Sequence, residues 1–104
     1  MPFISFNKAT DPAAPDAPLP DGIEAQTRRV IGNLKIVLGG IGLGLEHVLM
    51  VRIYLTQFDR DYAALNALWP SFWEPGKLPA RTTVGVTALA VGALVEIDLV
   101  AKRP

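Results

Sequence analysis

Residues 79–101, PARTTVGVTALAVGALVEIDLVA, contain two largely apolar runs joined by a short link. Both runs are rich in β-branched residues, which predicts strands at residues 81–86 and 94–101. Because the link is short, the two strands are expected to form one hairpin. Arg81 begins the first strand and Glu96 lies inside the second. A hairpin would therefore place an arginine and a carboxylate in an otherwise apolar unit.

Two interpretations of these charges remain open. In the first, Glu96 and Asp98 share the wet face of their strand, and Arg81 is exposed at a strand end or pairs with one of them. In the second, Arg81 binds a ligand carboxylate through its planar fork, and Glu96 beside it orients or activates a water molecule. Because an isolated buried charge is costly, burial of either residue would indicate pairing or ligand binding.

The segments before this stretch predict two strands and two helices. A short strand is expected at residues 3–6, and a proline-rich loop follows at residues 9–22. Asp21 is the expected N-cap of a helix that ends near Gly39, with Glu24 at the capping-box position. Residues 48–56 alternate and predict a strand with one apolar face, on which Leu49 lies. The apolar stripe of the helix comprises Ile23, Thr27, Val30, Ile31, Leu34 and Leu38.

A second amphipathic helix begins near Asp59, and Asn66 falls within its apolar stripe. Pro70 lacks the amide hydrogen that an α-helix needs, so this helix either kinks or stops near Leu68. The order β, α, β, α, β, β predicts an α+β fold, with a mixed sheet and two helices packed on one face. The stripe comprises Tyr62, Leu65, Trp69, Phe72 and Trp73.

Composition narrows the class of protein. The chain has 104 residues, which favours one domain over residues 1–104, and half of them are hydrophobic. Surplus apolar surface of this kind favours a partner subunit. A net charge of zero argues against nucleic-acid binding.

Without cysteine, and with His47 as the only histidine, no metal site is predicted. The absence of a long apolar run or a basic leader predicts a cytoplasmic protein without a membrane span.

Three segments resemble one family. They are DGIEAQTRRVIGNLKIVL (residues 21–38), VRIYLTQFDRDYAALNALW (51–69) and the opening stretch, in which Glu96 follows Arg81 by fifteen residues. Together they are similar to the RidA family, also called the YjgF or endoribonuclease L-PSP family, over residues 21–101. The resemblance implies a chorismate mutase-like fold that forms homotrimers with ligand clefts between subunits.

The resemblance also implies an activity that needs no cofactor. Members of the deaminase branch hydrolyse reactive enamine or imine intermediates to 2-keto acids and ammonia. By this resemblance, Arg81 binds the substrate carboxylate and Glu96 positions the attacking water. Asn66, Ser5 and Thr83 match further positions that contact a small 2-imino or 2-keto acid. The activity expected is therefore that of a 2-iminobutanoate/2-iminopropanoate deaminase-like hydrolase.

The first part of the chain departs from the family pattern. Family members usually begin with a further strand bearing a glycine-proline-tyrosine-serine segment, which this chain is expected to lack. Residues 1–20 are expected to form a divergent, proline-rich strand and loop that correspond to the family's next strand. Phe6 and Asn7 stand where the family has glycine and glutamine, and Gly85 where it often has glutamate. These departures leave two alternatives open: a non-catalytic metabolite-binding or regulatory trimer, and, less favoured by the neutral charge, an endoribonuclease or translation inhibitor.

Overall fold

The computed structural model describes residues 2–11, 13, 14 and 16–103, with the backbone alone for residues 2–8. Three short 3₁₀ turns, Leu45–His47, Trp69–Phe72 and Ala90–Gly92, link some of the main elements. No helix within these residues is long and apolar enough to cross a membrane. The main elements are β1 (Pro2–Lys8), α1 (Gly22–Gly39), β2 (Val48–Leu55), α2 (Phe58–Leu68), β3 (Ala80–Gly85) and β4 (Val95–Lys102).

The four strands form one mixed sheet in the order β1-β4-β2-β3. β4 is antiparallel to both β1 and β2, whereas β3 is parallel to β2. The α+β prediction is confirmed, but the predicted hairpin is wrong, because β2 lies between β3 and β4. The amide of Val86 bonds to the carbonyl of Leu55, and the amide of Thr56 bonds to that of Leu94. The link over residues 86–94 therefore passes across the end of β2 to reach its other side.

Both helices lie on one face of the sheet, and the core fills the space between them. All six residues of the predicted α1 stripe are buried. Alternate residues of the two central strands face them, as the period of a strand requires. We call the opposite side of the sheet the open face. The strand contribution to the core consists of Val51, Ile53, Leu55, Val95, Ile97, Leu99 and Ala101.

The start of β2 differs from the predicted alternation. Leu49 was expected on the apolar face, but 53% of its surface is exposed, and Val48 is buried instead. The pairing of β2 with β4 shifts register between Val48 and Met50. An irregularity of this kind adds one residue to a strand and reverses the side to which the preceding residues point.

The N-terminus of α1 also differs in detail from the prediction. Asp21 is the N-cap residue, as predicted, but its side chain makes no capping hydrogen bond. The capping box with Glu24 is therefore wrong, and the Glu24 carboxylate instead accepts a 3.2 Å hydrogen bond from Arg28 one turn later. Exposed pairs at this spacing stabilise a helix by about 0.2–0.5 kcal/mol.

Two buried amides on α1 tie the loops to the helix. Gln26 donates to the carbonyl of Pro20 at 3.0 Å and accepts from the amide of Leu94 at 2.8 Å. Asn33 donates to the carbonyl of Thr10 at 2.7 Å. Because unsatisfied backbone groups are costly to bury, these bonds hold the proline-rich loop and the start of β4 against α1.

Candidate functional site

Arg81 is held in place by two residues of the α2 region. It lies in the edge strand β3 opposite Val51, a core residue, so it points to the helix-covered face. Its Nη2 donates a 2.6 Å hydrogen bond to the side-chain oxygen of Asn66. Its guanidinium carbon lies 5.7 Å from the centre of the Trp69 ring, within cation–π range. The two contacts fix the direction of the guanidinium.

The end of α2 places these two partners. The α-helix stops at Leu68, which confirms the second of the two outcomes expected from Pro70. The chain continues as the 3₁₀ turn, whose tighter winding brings Trp69 under Arg81 while Asn66 stays on the last turn of the helix. Trp69 is only 2% exposed, so its ring is a fixed platform rather than a mobile side chain.

A pocket of about 280 Å³ opens beside Arg81. Its lining combines the clamped arginine with apolar and aromatic surface from two segments, the end of α2 and the loop before β3. The sequence analysis predicted Arg81 and Asn66 as site residues but did not predict Leu78 and Pro79. The feature that could have identified these two is that they come shortly before Arg81 in the chain. The pocket is lined by Asn66, Trp69, Pro70, Leu78, Pro79 and Arg81.

Glu96 lies on the other side of the sheet from Arg81. It pairs with Tyr54 of β2, and its neighbours Val95 and Ile97 point into the core, so the Glu96 side chain is on the open face. Within the described part of the chain its carboxylate makes neither a hydrogen bond nor an ion pair. One copy of the chain therefore does not bring Glu96 and Arg81 together.

The first of the two interpretations expected Asp98 to face water, but its carboxylate is buried. Its side chain is 2% exposed, and its two oxygens accept from different residues of β2. Arg52 Nε donates to Oδ1 at 2.8 Å, and the Tyr54 hydroxyl donates to Oδ2 at 3.0 Å. The hydrogen bond and the charge of Asp98 raise the pKa of Arg52 above its usual value. Asp98 is thus neutralised on the open face, while Glu96, two residues away, makes no hydrogen bond or ion pair with any side chain that the structure describes.

The hydroxyl of Tyr54 is expected to ionise at a higher pH than that of an ordinary tyrosine. Burial first, and then the hydrogen bond to Asp98, raise its pKa above the usual 10.0. A raised pKa favours the protonated folded state, so this contribution to stability is full below about pH 10 and is lost as the pH rises through the folded pKa. An absorbance titration of Tyr62→Phe, in which Tyr54 is the remaining tyrosine, should show a midpoint above that of free tyrosine. A midpoint at or below 10 would contradict the cluster.

The structure gives less support for a role in the site to the other predicted residues, Ser5 and Thr83. The side chain of Ser5 lies outside the described residues, and its backbone pairs with Leu99. Thr83 pairs with Ile53 on the helix-covered face, but its buried hydroxyl has no partner in the described residues and does not line the pocket. At Gly85, where the family often has glutamate, an added Cβ would lie 3.2 Å from the Cβ of Phe58. That close approach explains why glycine suits this position here.

The structure offers no evident metal centre among the residues it describes. No group of three or more potential ligands lies close enough together there to hold an ion. His47 has a structural contact instead, because its Nδ1 accepts a 3.0 Å hydrogen bond from the amide of Gly44. An acceptor Nδ1 places the proton of neutral histidine on Nε2.

Comparisons with known proteins agree with this fold. The chain is 41% identical to Protein DfrA of Myxococcus xanthus over 97% of this chain and 75% of that protein. It is 35% identical to a RutC family protein of Synechocystis over 98% of this chain and 78% of the relative. The crystal structure of RidA from an Antarctic Psychrobacter superposes with a TM-score of 0.86 at 30% identity, covering 95% and 77% of the two chains.

The family profile described as Endoribonuclease L-PSP matches residues 7–103. This match spans both helices, β2, β3 and β4, so it includes every element that positions Arg81, Asn66 and Glu96. With a relative above 40% identity along nearly the whole chain, the agreement covers both sequence and fold. The chain therefore belongs to the endoribonuclease L-PSP family, the RidA/YjgF proteins.

Proposed function

We propose that this protein hydrolyses 2-imino acids, and the enamines in equilibrium with them, to 2-keto acids and ammonia. The observation that carries the proposal is the clamped arginine at the mouth of a small pocket. Among contacts with the described residues, Nη2 of the guanidinium is engaged by Asn66. Nε and Nη1 have no partner in the described residues, so their N–H groups are available to a carboxylate.

This arrangement suits a small 2-imino acid. An arginine that is already oriented loses less side-chain entropy when it binds a carboxylate than a free one would. Trp69 and Asn66 fix Arg81 from two sides. The ligand carboxylate then sets the position of the adjacent C2 atom, which is the atom that water must attack.

Glu96 is the group that we propose to activate the water, and it would come from a neighbouring subunit. Arg81 lies in an edge strand, so a second copy can approach it from the side. The open face that carries Glu96 also presents apolar surface, with Val84 40% exposed and Met50 and Val100 half-buried. A homotrimer that covers this face would place Glu96 of one subunit in the cleft beside Arg81 of the next.

The chemistry requires one base that also returns the proton. Water attacks C2 of the iminium, a C–O bond forms, the π pair moves to nitrogen, and the Glu96 carboxylate takes the proton of the water. Glu96 then protonates the amine of the resulting carbinolamine. The C–N bond then breaks with its electron pair going to nitrogen, so that ammonia leaves, while the Glu96 carboxylate takes the hydroxyl proton as the carbonyl forms. Glu96 passes this proton to the ammonia, which gives the 2-keto acid and ammonium and restores the carboxylate. Atoms and charge balance without a cofactor.

A second function is favoured by one observation, the separation of Arg81 from Glu96 within a chain. If subunits do not bring them together, the pocket still offers Arg81 as a carboxylate-binding group. The protein would then be a metabolite-binding module without turnover. Such a module would bind 2-keto acids through Arg81, and a substitution of Glu96 would not change the rate of imine hydrolysis.

Imine hydrolysis can be measured directly. An amino-acid oxidase generates 2-imino acids, semicarbazide traps what remains, and the trapped product is followed with and without the protein. Acceleration by the folded protein is the expected result. Folded, ligand-binding protein that gives no acceleration would instead support the binding module.

A further inference from the structure

The residues that line the pocket beside Arg81 affect which 2-imino acid can bind there. Among the described residues that line it, Arg81 is the only charged one. The Asn66 side-chain oxygen is already engaged by Arg81, and the indole N–H of Trp69 is buried away from solvent. Within one subunit, the described side chains that line the pocket beyond Arg81 therefore offer a ligand only the amide nitrogen of Asn66 as a polar partner.

The far wall is apolar and stiff. Leu78 lines the pocket and is 49% exposed, so part of its side chain is accessible to a ligand. Pro79 follows it directly, and Pro70 faces it from the turn after α2. Because proline fixes its own backbone angle φ, the parts of the wall that Pro70 and Pro79 form have little backbone freedom. Apolar contact with such a wall therefore costs a ligand little ordering of the protein.

The clamp on Arg81 directs the ligand onto this wall. The carboxylate must sit on the free N–H groups of Arg81, and Trp69 closes the side beneath it. A side chain on C3 of the ligand then extends along Pro79 and Leu78. The volume of about 280 Å³ exceeds what a methyl side chain fills and lies just below the usual range for ligand pockets, which begins near 300 Å³.

We propose that the pocket selects 2-imino and 2-keto acids with a branched or aromatic apolar side chain, and that Leu78 is the main residue that determines this specificity. The inference rests on the proposed function for the carboxylate subsite. An acidic side chain would be disfavoured, because it would lose its hydration against Leu78 and Pro79 without gaining a partner.

Binding measurements test the inference independently of turnover. Calorimetry would give the Kd of the protein for pyruvate, 4-methyl-2-oxopentanoate and 2-oxoglutarate. We expect the branched acid to bind about tenfold or more tightly than pyruvate, since each methylene buried against an apolar surface contributes a several-fold preference. We expect 2-oxoglutarate to bind no more tightly than pyruvate. Equal or tighter binding of pyruvate than of the branched acid, or no binding of any of the three, would overturn the proposal.

Variants identify the selecting residue. Leu78→Ser should reduce the preference to about twofold or less, with the Kd for pyruvate changed little, whereas Leu78→Met should keep the preference. Ile36→Ser, which removes another exposed apolar side chain from α1 far from the pocket, is the matched control and should change neither. A preference that survives Leu78→Ser in a folded protein would exclude Leu78 as the determinant.

The outcomes also separate this inference from the proposed function. Preferential binding of the branched acid with no hydrolysis of any imine would uphold the pocket and reject the catalysis. Hydrolysis with equal kcat/KM for the imines of alanine and leucine would uphold the catalysis and reject the selectivity.

Discussion

Arg81→Ala is expected to lower kcat/KM for 2-imino acids by about 10²–10⁴-fold. The variant removes both N–H groups that we assign to the substrate carboxylate, and a hydrogen bond to a charged group is worth about 1.5–3 kcal/mol. It also leaves the Asn66 oxygen without its 2.6 Å donor. The measurement is the semicarbazide competition assay, with calorimetric binding of a 2-keto acid as a second readout.

Two further variants make the result specific. Arg81→Lys keeps the charge but loses the planar fork, so its activity should lie between wild type and Arg81→Ala. Arg28→Ala removes an exposed arginine that also has a partner, Glu24, but lies on α1 away from the pocket. It should have wild-type kinetics. Full activity of a folded Arg81→Ala protein would refute the assignment of the carboxylate subsite.

Glu96→Gln is expected to lower kcat by about 10²–10⁴-fold, the usual contribution of a general base, while 2-keto acid binding changes little. Glutamine keeps the shape of glutamate but cannot accept the proton of the attacking water. Because Glu96 makes no hydrogen bond or ion pair in the described residues, the substitution should not disturb the fold. A fall in binding with unchanged kcat would contradict the role of a base.

The matched control is Glu46→Gln, since Glu46 is an exposed glutamate outside the pocket beside Arg81. Its kinetics should equal those of wild type. Asp98 is not a suitable control, because its buried carboxylate bonds to Arg52 and Tyr54, and its loss would change the open face itself.

The local elements could be predicted from the sequence, because helices and strands leave a period in it. The α1 stripe and the position of Asn66 on α2 depend on spacing alone. The hairpin could not be decided in this way, since the pattern of residues 81–86 and 94–101 is the same whether two strands are neighbours or are separated by a third. Only the pairing of β2 with both shows that they are separated.

The charges show the same limit. The alternation of residues along β4 correctly placed Asp98 on the face away from the core. Whether a side chain on that face is exposed to solvent, however, depends on its neighbours across the sheet. Arg52 lies 46 positions earlier in the chain and meets Asp98 only because β2 and β4 pair. The relation of Arg81 to Glu96 was likewise out of reach, because it depends on how β3 and β4 lie on either side of β2.

We propose an active site that combines Arg81 of one subunit with Glu96 of another. It is tested most directly by co-expressing Arg81→Ala and Glu96→Gln chains and measuring imine hydrolysis by the mixed oligomer. Each variant alone should be nearly inactive. In a randomly mixed cyclic trimer about one site in four receives both intact residues, so about a quarter of wild-type activity should return. Mixed oligomers that stay as inactive as either parent would show that Arg81 and Glu96 do not act together across subunits.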